Sequence, residues 1–184
     1  MSELAHLSAE ERRRIVAGFL DEVFDGLDME PGFVTRMRSA GPDLPDDPTQ
    51  EQVDAWIELA ELVQDDDFKA GIRRMSEQHA QQRAAGEAMR PDPDWNAAAA
   101  LVAEQGEGAR AAGIDPASPE GRQIVDELVP LFNTTDRAAL ADRLATGTDA
   151  RAERYWQLLA IINGWPPVPT TVPAWEWVIA ALRA

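Results

Sequence analysis

The sequence predicts an all-α protein, a compact multi-helix bundle of about eight or nine helices. Three observations predict it. Apolar residues recur at helical spacing along nearly the whole chain. No segment alternates apolar and polar residues with the β-branched enrichment of a strand. Proline, glycine and capping residues punctuate the chain at intervals that suit short connections between helices.

The elements follow in order. Ser8-Ala9-Glu10-Glu11 has the form of a capping box, in which serine and the third-following glutamate satisfy exposed backbone amides. The helix it opens carries Val16, Phe19, Leu20, Val23, Phe24 and Leu27 on one face. Pro31 begins a short helix with Phe33, Val34 and Met37 inward, and Gly41 to Pro48 is a loop by composition. Thr49 to Gln52 forms a second capping box, ahead of a helix that buries Val53, Trp56, Ile57, Ala60 and Val63. Asp65-Asp66-Asp67 marks the next helix start, since carboxylates cap amides and complement the dipole. It lacks the alternating oxygen ligands and the distal glutamate of a calcium loop. Phe68, Ile72, Met75 and His79 then line one face, before a polar tail from Gln81 to Met89.

Pro91-Asp92-Pro93-Asp94 interrupts the chain, and Asp94 caps a helix with Trp95, Ala98, Ala99 and Val102 inward. Gly106, Gly108 and Gly113 weaken its far end. Ser118-Pro119 is a cap with proline at the first helical position. The helix it opens carries Ile124, Val125, Leu128, Val129 and Phe132, bent or ended near Pro130. Thr134-Thr135-Asp136 starts a short helix through Leu140 and Leu144, ended by Gly147. Asp149 opens a helix with Tyr155, Leu158, Leu159 and Ile162 aligned and Trp156 and Ile161 widening the apolar face. Asn163-Gly164 stops it, because both residues tolerate a left-handed backbone. Pro166, Pro167, Pro169 and Pro173 stiffen the connection to a last helix carrying Trp175, Val178, Ile179 and Leu182.

Composition narrows the function. At 184 residues the chain suits a single all-helical domain over 1–184, with a lobe boundary near 90–93 as the natural place for a division. A net charge of −16 argues against gripping nucleic acid through this segment, because phosphate binding needs clustered lysine and arginine. No apolar run approaches the roughly 20 residues that span a bilayer. No basic-then-apolar signal segment opens the chain. Zero cysteines exclude disulfides, thiolate metal sites and a cysteine nucleophile, and fit a cytoplasmic location.

Chemistry-bearing motifs are few. The histidines are His6 and His79, and the zincin, P-loop, dinucleotide and nucleophile-elbow patterns are absent. The expectation is a non-enzyme with no catalytic residue, no cofactor and no metal. His79 has two readings, a helix-face histidine at the core margin or a pocket-lining group. The aromatics are the stronger lead. Trp56, Trp95, Trp156, Trp165, Trp175 and Trp177 are many indoles for this length, and each presents a large rigid apolar area with one donor. Any one of them can equally be core filling. Trp165 stands apart because it sits in a stiff loop rather than mid-helix. Glu176 lies between two indoles, either as a solvated helix-face residue or as the anionic end of an aromatic pocket. An indole beside an acid suits a cationic ligand.

Several segments resemble a known family. Leu7-Ser8-Ala9-Glu10-Glu11-Arg12-Arg13-Arg14-Ile15 and the stretch Pro42 to Trp56 are similar to the C-terminal effector-binding regions of actinobacterial MerR-family regulators. Tyr155-Trp156-Gln157-Leu158-Leu159 and Ile162-Asn163-Gly164-Trp165-Pro166 resemble the same proteins. The turn Asp115 to Gly121 resembles the TipAS-like, all-helical antibiotic-recognition domains of that family. The likeness spans nearly the whole chain and rests on its texture, with no diagnostic motif. It implies a drug- or metabolite-sensing domain that follows a DNA-binding segment and a dimerising coiled coil in an intact, homodimeric regulator. Contact with DNA would then run through an N-terminal domain outside this segment. Two departures matter: no basic DNA-binding segment precedes it here, and the cysteine that captures thiopeptides in the TipAS type is missing. Any binding is therefore expected to be non-covalent.

The resulting expectation is a bulky, partly aromatic, and by charge preferably cationic, small molecule enclosed between helices. Tyr155, Trp156, Trp165, Trp175 and Trp177 would form walls, Trp56 or Trp95 would close the far side, His79 would lie at the margin, and Glu176 would anchor. The alternatives are a stand-alone drug-sequestering resistance protein and a helical protein–protein interaction module.

Overall fold

The computed structural model describes the backbone of residues 3–86 and 93–184, and the side chains of all of these but 93–96. Among the described residues there are nine α-helices and no strand. They are α1 (Ala9–Phe24), α2 (Pro31–Ser39), α3 (Gln50–Gln64), α4 (Asp66–Ala84), α5 (Pro93–Ala111), α6 (Pro119–Leu128), α7 (Arg137–Thr146), α8 (Ala150–Asn163) and α9 (Val172–Arg183). Short 3-10 turns cover Glu3–His6 and Val129–Phe132. No described helix is long and apolar enough to cross a membrane.

The helix starts follow capping chemistry. Ser8 Oγ accepts from the Glu11 amide at 3.2 Å while Glu11 Oε2 accepts from the Ser8 amide at 2.7 Å. Thr49 and Gln52 repeat the arrangement at α3, at 3.2 and 3.0 Å. Asp65 Oδ1 accepts from the Phe68 amide at 2.7 Å, which makes the aspartate triplet a helix start. At α2 the cap is Glu30, whose carboxylate accepts from the Gly32 and Phe33 amides at 2.9 and 2.5 Å. Those two bonds hold its pKa below the ordinary glutamate value.

The chain packs as two compact units. Unit 1 comprises Met1–Ala88 and Arg151–Pro169; unit 2 comprises Met89–Ala150 and Thr170–Ala184. The lobe boundary anticipated near 90–93 falls largely outside the described residues. Unit 1 is built on aromatic packing. Phe19 of α1 stacks on Phe68 of α4 at 5.5 Å and meets Tyr155 of α8 at 5.9 Å. Trp56, Leu59 and Val63 of α3 and Leu158, Leu159 and Ile162 of α8 complete that core.

Unit 2 has smaller residues at its centre. Its core takes Ala98, Val102 and Ala109 from α5, Val125 and Leu128 from α6, and Leu140, Ala141 and Leu144 from α7. From α9 come Trp177, Val178, Ile179, Ala181 and Leu182. Helix α9 packs against α5, α6 and α7. Helix α5 runs through Gly106 to Ala111. A methyl carbon at Gly106 would overlap the backbone carbonyl of Ala174 in α9. The glycine is a point of close backbone approach.

Candidate functional site

The C-terminal end of α8 is held unusually firmly. Gly164 has φ +68°, its amide donates to the Ile161 carbonyl at 3.3 Å, and the Trp165 amide donates to Ala160 at 2.9 Å. This paired arrangement satisfies the last carbonyls and turns the chain sharply out of the helix. Gln52 of the α3 capping box also reaches across, its Nε2 donating to the Ile161 and Ile162 carbonyls at 3.4 and 3.2 Å. Asn163 binds in three directions. Its Nδ2 donates to Leu159 at 2.8 Å and to Gly41 at 3.0 Å, and its Oδ1 accepts from the Asp43 amide at 3.2 Å. The base from which Trp165 emerges is therefore tied to α3 and to the loop after α2.

That same loop edges a cleft of about 330 Å³ in unit 1, between α1, α2 and residues 41–43. Val16 and Leu20 give it an apolar base, and Arg13, Arg38 and Asp43 supply its charged rim. Arg13 Nε and Nη2 both donate to Asp43 Oδ1, at 2.9 and 2.5 Å. Arg38 pairs with Asp21 at 2.8 Å. The cleft is an open one at the small end of ligand-site volumes, with a largely charged rim and with Val16 and Leu20, both almost fully buried, at its base. Asn163 ties the edge of this cleft to the segment that carries Trp165 two residues later.

From Gly164 to Thr170 every residue is exposed. Trp165 is 44% and Val168 37% exposed, both large apolar surfaces on a backbone stiffened by Pro166, Pro167 and Pro169.

The other candidate residues divide by environment. Trp56 is 0% exposed and its indole N–H donates to the Leu4 carbonyl at 2.7 Å. Trp177, at 7%, does the same to Ile114 at 2.9 Å. Both placements are those of core residues with their single donor satisfied. Tyr155 is also a core residue of unit 1, standing edge to face with Trp156 at 5.6 Å. Its hydroxyl is buried without a hydrogen-bond partner, and burial raises its pKa well above the phenolic range. Trp156 is half-buried against the unit 1 core and Trp175 half-buried against that of unit 2. Glu176 is exposed. His79 is half-buried with its ring against Phe33 at 6.0 Å, and its Nε2 has no partner. The Trp95 side chain lies outside the described residues. Trp56, His79, Tyr155, Trp156 and Trp165 thus belong to unit 1, and Trp175, Glu176 and Trp177 to unit 2.

Arg13, Arg38 and Asp43 were not among the residues singled out from sequence. Arg13 lies among the charges of Glu10 to Arg14, and its pairing with Asp43 spans 30 residues. Among the described residues no group of three or more His, Asp or Glu is placed to hold a metal ion.

In comparisons with known proteins, no family model, no curated protein and no solved structure matches the chain.

Proposed function

We propose that this chain is the small-molecule-sensing domain of a MerR-like transcription regulator, holding its ligand non-covalently and without catalysis. The observation that carries the reading is Trp165, a solvent-facing indole on a rigid loop whose base is tied to the rim of that cleft. An aromatic ligand would lay one face on the indole and place its smaller apolar part against Val16 and Leu20. The paired charges of Arg13 with Asp43 and Arg38 with Asp21 leave the rim near neutrality. Preference for a cation would then come from the −16 charge of the whole chain. In the intact homodimeric regulator, ligand binding would act by favouring one of two settings of the helices that carry the DNA-binding half.

The test is a tryptophan-fluorescence titration with ethidium, a planar aromatic cation. Saturable quenching that Trp165→Ala weakens about tenfold, with ellipticity and melting unchanged, is the expected result. Quenching that persists unchanged in the variant would overturn it.

A second reading is favoured by the seven consecutive exposed residues from Gly164 to Thr170. Pro166-Pro167-Val168-Pro169 has the spacing of segments that dock extended into aromatic-lined grooves of partner proteins. A Val168→Asp variant separates the two, since it would disrupt partner docking and leave the ethidium titration in place.

A further inference from the structure

A second cleft, of about 390 Å³, lies wholly within unit 2, where α6, the first turns of α7 and the end of α9 meet. Arg122, Arg137, Arg183, Ala138 and Asp142 are among its lining residues. The chain has 17 basic against 33 acidic residues, so three guanidinium groups around one small volume run against its general charge. We propose that this cleft binds a small, free, phosphate-bearing anion.

The donors are present and incompletely used. Arg183 Nη2 holds Asp142 Oδ1 at 3.0 Å, and Arg137 Nη1 holds Asp126 Oδ1 at 2.5 Å. Each pair engages one nitrogen of a group that carries five N–H donors in a planar fork. Arg137 Nη2 is buried with no hydrogen-bond partner, a costly condition that an acceptor oxygen would relieve. Arg122, Arg137 and Arg183 stand against Asp126 and Asp142, with Ala184 also lining the cleft and Asp136 at the start of α7. The attraction therefore comes from unused guanidinium N–H donors and not from net charge. Ala138 lies in the first turn of α7, a helix of 10 residues whose start is capped by the Asp136 carboxylate on the Ala139 amide at 3.0 Å.

The choice of phosphate follows from the number and spread of donors. A carboxylate fills one fork, whereas a phosphate dianion offers oxygens to several guanidinium groups at once. Asp142 opposes the ligand and keeps the affinity modest. The site should also weaken with rising salt, because Arg122 and Asp142 are solvent-exposed.

The experiment is an amide- and arginine-resolved NMR titration of the full chain with inorganic phosphate, at constant ionic strength, with acetate in parallel. The expected result is saturable shifts at the first turn of α7 and at the Nε of Arg122 and Arg183. Arg122→Gln should raise the dissociation constant about tenfold. Asp142→Asn, which removes the opposing carboxylate and frees Arg183, should lower it. Both positions are exposed, and unchanged amide spectra elsewhere would show that the fold is kept. Absence of saturation, equal affinity for acetate, indifference to Arg122→Gln, or weaker binding by Asp142→Asn would each overturn the proposal.

Discussion

The two units exclude water from their cores by opposite means. Unit 1 interlocks large rings, with Phe19, Phe68 and Tyr155 meeting across α1, α4 and α8 and Trp56 of α3 buried in the same core. Unit 2 sets alanines and a glycine where α9 crosses its neighbours, so that backbone approaches backbone at Gly106 and Ala174. A ring-built core depends on filling volume, and deleting a ring leaves a cavity that the surroundings close only in part. A core built on small residues depends on absent volume, and adding atoms there forces helices apart. Similar apolar content therefore leads to opposite sensitivities.

The sharpest break of that contrast would come at Trp56. Trp56→Ala should lower the stability of unit 1 by about 3–5 kcal/mol in urea unfolding, from lost burial and the cavity left behind. Gly106→Val comes next, at about 3 kcal/mol in the same measurement, because the added carbons meet a carbonyl and not a flexible side chain. A neutral Gly106→Val would show that unit 2 accommodates volume after all and would remove the comparison. Tyr155→Phe should stabilise by about 1 kcal/mol, since it keeps the ring and deletes a buried hydroxyl that lacks a partner. Destabilisation by that change would mean the hydroxyl is satisfied in solution.

The smallest effect is electrostatic. Arg154 of α8 holds Glu58 of α3 through two hydrogen bonds, at 2.6 and 2.7 Å, and these lower the carboxyl pKa below its ordinary value of 4.5. A carboxyl with a depressed folded pKa contributes stability that is whole above the unfolded value and fades as pH falls through the folded one. Both partners are largely solvated, so the contribution is about 0.5 kcal/mol after screening. Glu58→Gln should remove that part of the acid dependence below pH 4.5 and leave the rest of the profile unchanged.

Much of the helix plan was legible because its signals are local. The capping boxes at Ser8 and Thr49, the Asp65 start, and the stop at Asn163-Gly164 each involve residues within a few positions of one another. Helical periodicity also identified Val16, Phe19, Leu20, Val23 and Phe24 of α1 and Trp56, Ala60 and Val63 of α3, while it missed Ala55 and Leu59 and took the half-buried Val53 and Ile57 as buried. It could not say which element each inward face would meet. Gly106 read as a helix weakness because Ala174, the atom group that requires it, lies 68 residues away. For the same reason the cleft of unit 1 was invisible: Arg13 finds Asp43 only once α1 and the loop after α2 come together. That Trp165 leaves its helix could be read from Gly164; what anchors its base could not, since Asn163 bonds to residues 120 or more positions earlier.

The order in which a ribosome delivers this chain acquires weight from how the units are assembled. Unit 1 draws on residues up to Ala88 and then waits for Arg151–Pro169, while unit 2 waits for Thr170–Ala184. Tyr155, Leu158, Leu159 and Ile162, which complete the first core, emerge only after most of the second unit has been made. Helix α9, which completes the second, emerges later still. From about residue 98 until residues 151–183 have been made, a growing chain therefore carries two unfinished apolar surfaces. The net charge of −16 favours self-repulsion between chains in that interval.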